Sequence, residues 1–316
     1  MSDCRPPDSP DKMTWMFLNN PLLFLRTLIK TSRPPFLLLT GVCVLAGAAA
    51  SGSASLINSE VLLACAGALL AHISVNMLNE YQDFRSGLDL ATQRTPFSGG
   101  SGGLPSFPAA ASWVLTGAIV TLVSALLIGL FLAWSHPALW PVGIAGALLV
   151  VTYTRYINRQ PWLCLVAPGA GFGLLMVTGV ALVAGIQDPA SVICAATVVF
   201  LLVNNLLLAN QFPDIDADAL HGRRHLLITH GVTAGIRAYI MMTFAVAAII
   251  VSAVMLGIWN QWVLLALLPW ALTLKTATAL NELREDISQS PSALAANVAA
   301  TLLTTLALSS GLLLGR

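Results

Sequence analysis

From residue 36 onward the chain alternates apolar runs of bilayer-spanning length with short polar breaks, a rhythm that lipid demands and a soluble core does not. The runs fall near 36–52, 57–79, 110–134, 137–156, 161–184, 190–212, 232–257, 260–280 and 293–315. Each predicts a helix, because a helix satisfies its own backbone polar groups where no water can. The expectation is an all-α, polytopic membrane bundle of about nine transmembrane helices around a central cavity. Ahead of the first run, LLFLRTLIKTS sets Arg26, Lys30 and Arg33 on one helical stripe and Leu22, Leu25 and Ile29 on another. Such a segment is expected to lie along the membrane surface until Pro34 and Pro35 break it. Residues 1–13 are polar and proline-containing and lack the pattern of a cleaved signal peptide. The expected organisation is a disordered cytoplasmic tail over 1–21 and a single membrane domain over 22–316.

Composition agrees with the pattern. Of 316 residues 57% are hydrophobic and 9% charged, and the mean hydropathy is +0.81, values that exclude a water-exposed globular surface. A net charge of +1 offers no basic field for nucleic acid, so where the charges lie matters more than their sum. With the amino terminus placed in the cytoplasm, Arg85, Arg94, Arg155, Arg159, Arg223, Arg224, Arg237, Lys275 and Arg284 all fall at inner connections. The outer connections near 53–56, 135, 187 and 258 carry no Lys or Arg, and only Arg316 lands outside. Trp134, Trp140, Trp259 and Trp262 flank the outer turns, where an indole buries its ring and keeps its N–H near water. The five cysteines are scattered, with no CxxC pair, and read as small packing residues.

The inner connections near 80–109 and 213–231 are long and hold most of the acidic residues, so function is expected on the cytoplasmic side. The first reads HISVNMLNEYQDFRSGLDLATQRTPFSGGSGGLP, with Asn76, Asn79 and Asp83 on one helical stripe and Asp89 beyond a break at Gly87. The second reads NNLLLANQFPDIDADALHGRRHL, with Asn210, Asp214 and Asp218 four apart and able to share a side if the segment is helical. Asn-x-x-x-Asp occurs in both, which suggests a weak internal repeat that sets them face to face. Carboxylates at such spacing repel unless a cation sits between them, and hard oxygen ligands of this kind suit Mg²⁺ shared with a phosphate. Arg94 behind the first motif and Arg223 and Arg224 behind the second are suited to meet phosphate oxygens. Glu282, Glu285, Asp286 and Asp216 read as solvent-facing, and His221, His225 and His230 as loop residues. His72 reads as a packing hydrogen-bonder rather than a catalyst. The stretch Ser98 to Gly103 fits a phosphate cradle, a flexible connection or a lid equally.

Taken together, NEYQDFRSGLD with TQRTPFSGG, and NQFPDIDAD with GRRHL, resemble the two signature regions of the intramembrane aromatic prenyltransferase (UbiA) superfamily, and SRPPF resembles the segment before that family's first span. The six-residue gap from Asp83 to Asp89 is more similar to the 1,4-dihydroxy-2-naphthoate prenyltransferases of menaquinone synthesis than to the 4-hydroxybenzoate enzymes. The resemblance implies Mg²⁺-dependent transfer of a prenyl chain from a polyprenyl diphosphate to a small aromatic acceptor, in a multi-pass protein of a bacterial-type inner membrane. Under it Asn79, Asp83 and Asp89 hold one Mg²⁺ and Asn210, Asp214 and Asp218 another, with Asp83 and Asp214 indispensable to catalysis. Asn79, Arg94, Arg223 and Arg224 then contact the diphosphate, while Tyr153 and Arg155 orient acceptor or phosphate or else anchor the helix end at the interface. The chain departs from the family pattern at Glu80, Arg223 and His225, and RYINRQPWLCLVAPGAGFG lacks a Gly-Glu pair common among naphthoate-type members. The alternatives are 4-hydroxybenzoate or ether-lipid prenylation within the same superfamily and, from another class, an ion or solute transporter. Against the transporter, the charges gather at one face and no span carries one near its middle.

Overall fold

A computed structural model describes residues 20–54, 56, 58–92, 94, 95 and 98–316. The tail expected over 1–21 lies outside the described residues except for its last two. Helix α1 (Pro21–Thr31) turns Phe24, Thr27 and Thr31 to the protein and leaves Leu22, Leu25 and Ile29 exposed beside Arg26 and Lys30. That outer face is mixed apolar and basic, as a surface-lying helix requires. It meets α2 (Pro34–Ala50) at a bend of 42°, where Pro34 and Pro35 begin the new helix without losing a backbone bond. Arg33 forms the bend itself, with φ 53° and ψ 62°, and so leaves the basic stripe expected for it.

Helix α3 (Ser59–Ser86) is capped by Asn58, whose side chain accepts from the Val61 N–H at 2.8 Å, and stops at Gly87, which takes φ 86°. Its 28 residues reach about 42 Å, so it outruns the hydrocarbon layer and carries the first acidic segment past the apolar zone. One turn, α4 (Leu88–Ala91), follows before α5 (Ala111–Ser135) and α6 (Leu139–Thr152). At 14 residues α6 is shorter than the fourth span expected over 137–156. Helix α7 (Pro161–Ala184) contains Pro168, which cannot donate back into the helix, and widens to a π-helix over Ala170–Val177. The displaced Gly169 N–H donates instead to Asn204 Oδ1 at 2.6 Å. Beyond it come α8 (Pro189–Gln211), α9 (Ile215–Leu220), α10 (Leu226–His230), α11 (Val232–Met255), α12 (Gln261–Gln289) and α13 (Pro291–Leu314).

The protein is thus an all-α, polytopic membrane bundle. Seven of its described helices are long and apolar enough to cross a membrane, or eight where the bent α1–α2 pair counts as one span. Lipid offers no hydrophobic drive between helices, so small residues and buried hydrogen bonds must join them. Gly173 does the first: a Cβ there would come within 2.6 Å of Ala196 O and Phe200 Cα on α8. Asn297 on α13 does the second, donating to Asn205 O at 3.2 Å and accepting from Tyr239 Oη of α11 at 2.8 Å. Asn205 Nδ2 in turn donates to Thr243 Oγ1 at 3.0 Å, which ties α8, α11 and α13 into one block.

The connections sort to two ends. At one, Glu60 lies 3.1 Å from His136, and Arg316 donates to Ser53 O and Ala49 O, closing the exposed carbonyls at the end of α2. At the other, Arg33 meets Glu80, and the Arg224 N–H donates to Asn158 O at 2.9 Å. Trp134 and Trp140 are exposed as anchors should be, but Trp259 is buried and donates Nε1 to Ser191 Oγ at 2.9 Å, so it serves packing instead.

Candidate active site

Along α3, Ala64, Ala68, His72, Asn76, Asn79 and Asp83 recur at helical spacing and turn one stripe from small apolar residues through amides to a carboxylate. That stripe walls a chamber of about 800 Å³ enclosed by α2, α3, α5, α6, α7 and α8. Its apolar part includes Leu126 and Leu130 of α5 and Ile144 and Leu148 of α6, all of which keep much of their surface accessible. Asp83, Asp89, Asp214 and Asp218 all line its polar end.

Each motif reaches that end differently. Asp83 stands on the last turn of α3, and the left-handed Gly87 folds the chain back so that α4 delivers Asp89, which is buried. In the second motif α8 ends at Gln211, Pro213 follows, and Asp214 precedes α9, which carries Asp218. The single helical side considered for Asn210, Asp214 and Asp218 is therefore replaced by two helices with a break between them.

Arg223 joins the motifs. Its Nη2 donates to Asp83 Oδ2 at 2.6 Å and its Nη1 to Asp218 Oδ1 at 3.1 Å. Burial works against its charge, but the two carboxylates outweigh that and raise its pKa. Asn79 Nδ2 donates to the same Asp83 oxygen at 2.9 Å and to Thr154 Oγ1 at 3.3 Å. His225 Nε2 lies 3.3 Å from Asp218 Oδ2, so the histidine expected to be a loop residue belongs to the site.

Among the described residues, three oxygens at this end are buried without a hydrogen-bond partner: Asp89 Oδ2, Asn210 Oδ1 and Asp214 Oδ1. Burial, and then the neighbouring Glu80 and Asp83, push the Asp89 carboxyl up to about 8. Burial and then Asp218 raise Asp214 to about 7, although Ser98 and the Gly99 N–H bond to it. Orphaned buried oxygens with raised proton affinity are what a divalent cation satisfies, and an amide with two carboxylates fits the hard-oxygen preference of Mg²⁺. Among the described residues no three His, Cys, Asp or Glu side chains close on one point. The donor set fits an ion that keeps waters and shares a phosphate better than an ion caged by protein alone.

The other expected cations stand apart. Arg94 is exposed and donates to the Asp89 carbonyl at 3.4 Å, Arg224 is exposed, and Arg155 lies over the Tyr156 ring at 5.6 Å; none of the three lines the chamber, whereas Tyr153 does. His72 meets Thr40 Oγ1 at 2.8 Å through Nδ1 and packs edge-on against Phe172, as expected of a packing residue. Arg33, not among the expected site residues, lines the chamber and is held by Glu80. Its signal lay in SRPPF, quoted above only as a segment leading into a span.

The model of the UbiA prenyltransferase family matches residues 38–311, and the chain belongs to that family. No curated protein matches it significantly. Similar solved structures include a UbiA homolog from Archaeoglobus fulgidus bound to DMAPP and Mg²⁺, at TM-score 0.65 and 14% identity over 90% of this chain and 99% of that one. A digeranylgeranylglyceryl phosphate synthase is similar at TM-score 0.63 and 16% identity over 92% and 98%. The apo UbiA homolog from Aeropyrum pernix K1 is similar at TM-score 0.63 and 15% identity over 87% and 98%. At these identities the likeness is one of fold.

Proposed function

We propose that this UbiA-family prenyltransferase transfers a prenyl chain from a polyprenyl diphosphate to a small aromatic acceptor, 1,4-dihydroxy-2-naphthoate, with Mg²⁺ as cofactor. The observation that carries the reading is the pair of motifs bridged by Arg223 beside three unpartnered oxygens, at the polar end of an otherwise apolar chamber. Asn79, Asp83 and Asp89 on one side and Asn210, Asp214 and Asp218 on the other would hold the metal. Mg²⁺ bound there supplies positive charge to the departing diphosphate. Arg223 adds a fixed guanidinium, which needs no reorganisation as charge develops on the leaving oxygens. The allylic C–O bond of the donor breaks, the electron-rich acceptor ring forms the new C–C bond, and the ring gives up a proton. The apolar chamber keeps water from the activated prenyl group, and its α5–α6 side lets a long tail continue into lipid.

The Archaeoglobus fulgidus homolog with DMAPP and Mg²⁺ supports the donor and metal. The acceptor rests on the six-residue gap between Asp83 and Asp89. The same reading has nine spans, a cytoplasmic amino terminus and a site facing the cytoplasm of a bacterial-type inner membrane, supported by the arginines gathered at one end. The test mixes purified protein with Mg²⁺, a polyprenyl diphosphate and the naphthoate, and follows diphosphate release and prenylated product by mass spectrometry. Metal-dependent formation of both is expected. Product with 4-hydroxybenzoate but not the naphthoate would replace the acceptor, and proteoliposome solute flux without diphosphate release would overturn the reading.

A further inference from the structure

One fully buried carboxylate in the first motif has both its oxygens engaged by protein donors. Glu80 on α3 is 0% exposed. Its Oε1 accepts from Arg33 Nε at 2.8 Å, Arg33 Nη2 at 2.5 Å and the Ser101 N–H at 2.7 Å, and its Oε2 accepts from Ser101 Oγ at 2.6 Å. Charge-assisted bonds of this kind are among the strongest a side chain makes. Both partners sit outside long helices. Arg33 is the left-handed bend between α1 and α2, a conformation unfavourable for a residue with a side chain, and Asn76 of α3 also holds that bend by donating to Ser32 O at 3.0 Å.

Ser101 belongs to the glycine-rich loop 98–103. Gly99, Gly100 and Gly102 take φ of 79°, 75° and 71°, so the loop owes its shape to residues with no side chains to pack. It is tied to Thr95 through Ser98 and lies against Thr31 at Gly103, and further contacts fall on the two motifs. A Cβ at Gly100 would come within 2.6 Å of Asp89 Oδ1, and Ser98 and the Gly99 N–H bond to Asp214. The loop therefore spans the gap between Asp89 and Asp214, and Glu80 grips it from the side.

We infer that Glu80 is a positioning residue: by holding Arg33 and Ser101 together it clamps loop 98–103 across the two motifs and so sets how the diphosphate end of the chamber closes. The inference rests on the proposed function for what the loop closes upon, but not for the clamp itself. The distinction matters because Glu80 sits inside NEYQD, where its neighbours are the metal-holding candidates.

The test compares the full-length wild type with Glu80→Gln, Glu80→Asp and Ser101→Ala, first by hydrogen–deuterium exchange without substrate and then by kinetics. In Glu80→Gln the amides of 98–103 should exchange about tenfold faster while those of α8 and α13 hold, and the donor KM should rise about tenfold with kcat nearly unchanged. Glu80→Asp should restore part of both, and Ser101→Ala should move them in the same direction by less. Unchanged loop exchange in folded Glu80→Gln overturns the clamp, as does a fall in kcat with KM unmoved, which would mark a group acting on the reacting atoms. Should Glu80→Gln fail to fold, Ser101→Ala decides, since it leaves the Arg33–Glu80 pair intact; unchanged loop exchange there overturns the proposal. A wild type that transfers no prenyl group would sink the transferase reading while the exchange result still judged the clamp.

Discussion

The two acidic motifs share the spacing Asn-x-x-x-Asp and sit across one chamber, yet they are in different electrostatic states. In the first, Asn79 and Arg223 both donate to Asp83, and Glu80 is consumed by Arg33 and Ser101, which leaves Asp89 as the carboxylate with an orphaned oxygen. In the second, Arg223 passes over Asp214 and takes Asp218 five residues before it, so Asn210 and Asp214 each keep an oxygen without a partner. The reason is backbone, not composition. Helix α3 runs unbroken through Asp83, while α8 ends before Pro213 and presents Asp214 and Asp218 from separate pieces. Equal spacing therefore gives one motif with a single unpartnered oxygen, on Asp89, and one with two, on Asn210 and Asp214.

That difference can be broken by mutation. Asp83→Ala and Asp214→Ala should each lower diphosphate release by about a thousandfold or more. They should part in thermal unfolding: Asp214→Ala leaves the Arg223 bridge whole, whereas Asp83→Ala strips a partner from it and should cost about 3 kcal/mol. Identical unfolding would erase the contrast. Arg223→Ala leaves Asp83 and Asp218 facing each other unneutralised, with an expected loss of about 3 kcal/mol and about a hundredfold in kcat. Added Mg²⁺ should recover part of that stability, and a variant indifferent to Mg²⁺ would argue that no ion reaches those carboxylates.

Smaller effects sharpen the same contrast. Asn210→Ala should raise the Mg²⁺ concentration needed for half-maximal rate by about tenfold or more, because its oxygen is free for the metal. Asn79→Ala should raise it as well and also loosen Asp83, which the Asn79 Nδ2 holds; a metal titration in which neither variant moves would count against the assignment. Last, Arg94→Ala, Arg155→Ala and Arg224→Ala should change kcat/KM by less than about threefold, as expected of cations outside the chamber.

Much of this was legible in the chain. Runs of apolar residues located the helices, and the arginines sorted the connections to two ends. Asp83, Asp89, Asp214 and Asp218 stand out by type and spacing as acids beside apolar spans, and the fold brings all four to one chamber. Other features were not legible. Arg223, Arg224 and Arg94 are alike as letters, and only the turn after α9 aims Arg223 alone between the motifs. In sequence Glu80 is only a departure from the family pattern, and its four donors come from the fold; Trp259 has the position of an anchor, but packing puts its N–H on buried Ser191.

Sequence by itself determined that this protein is a helical membrane bundle with its acids near one end, because transfer of each residue between water and lipid is a local cost read one residue at a time. Tertiary structure decided which carboxylate meets which cation and which helices wall the chamber. Those are pairings between residues as far apart as Asp83 and Arg223, and a charge held in low dielectric takes whichever partner the packing brings within about 3 Å.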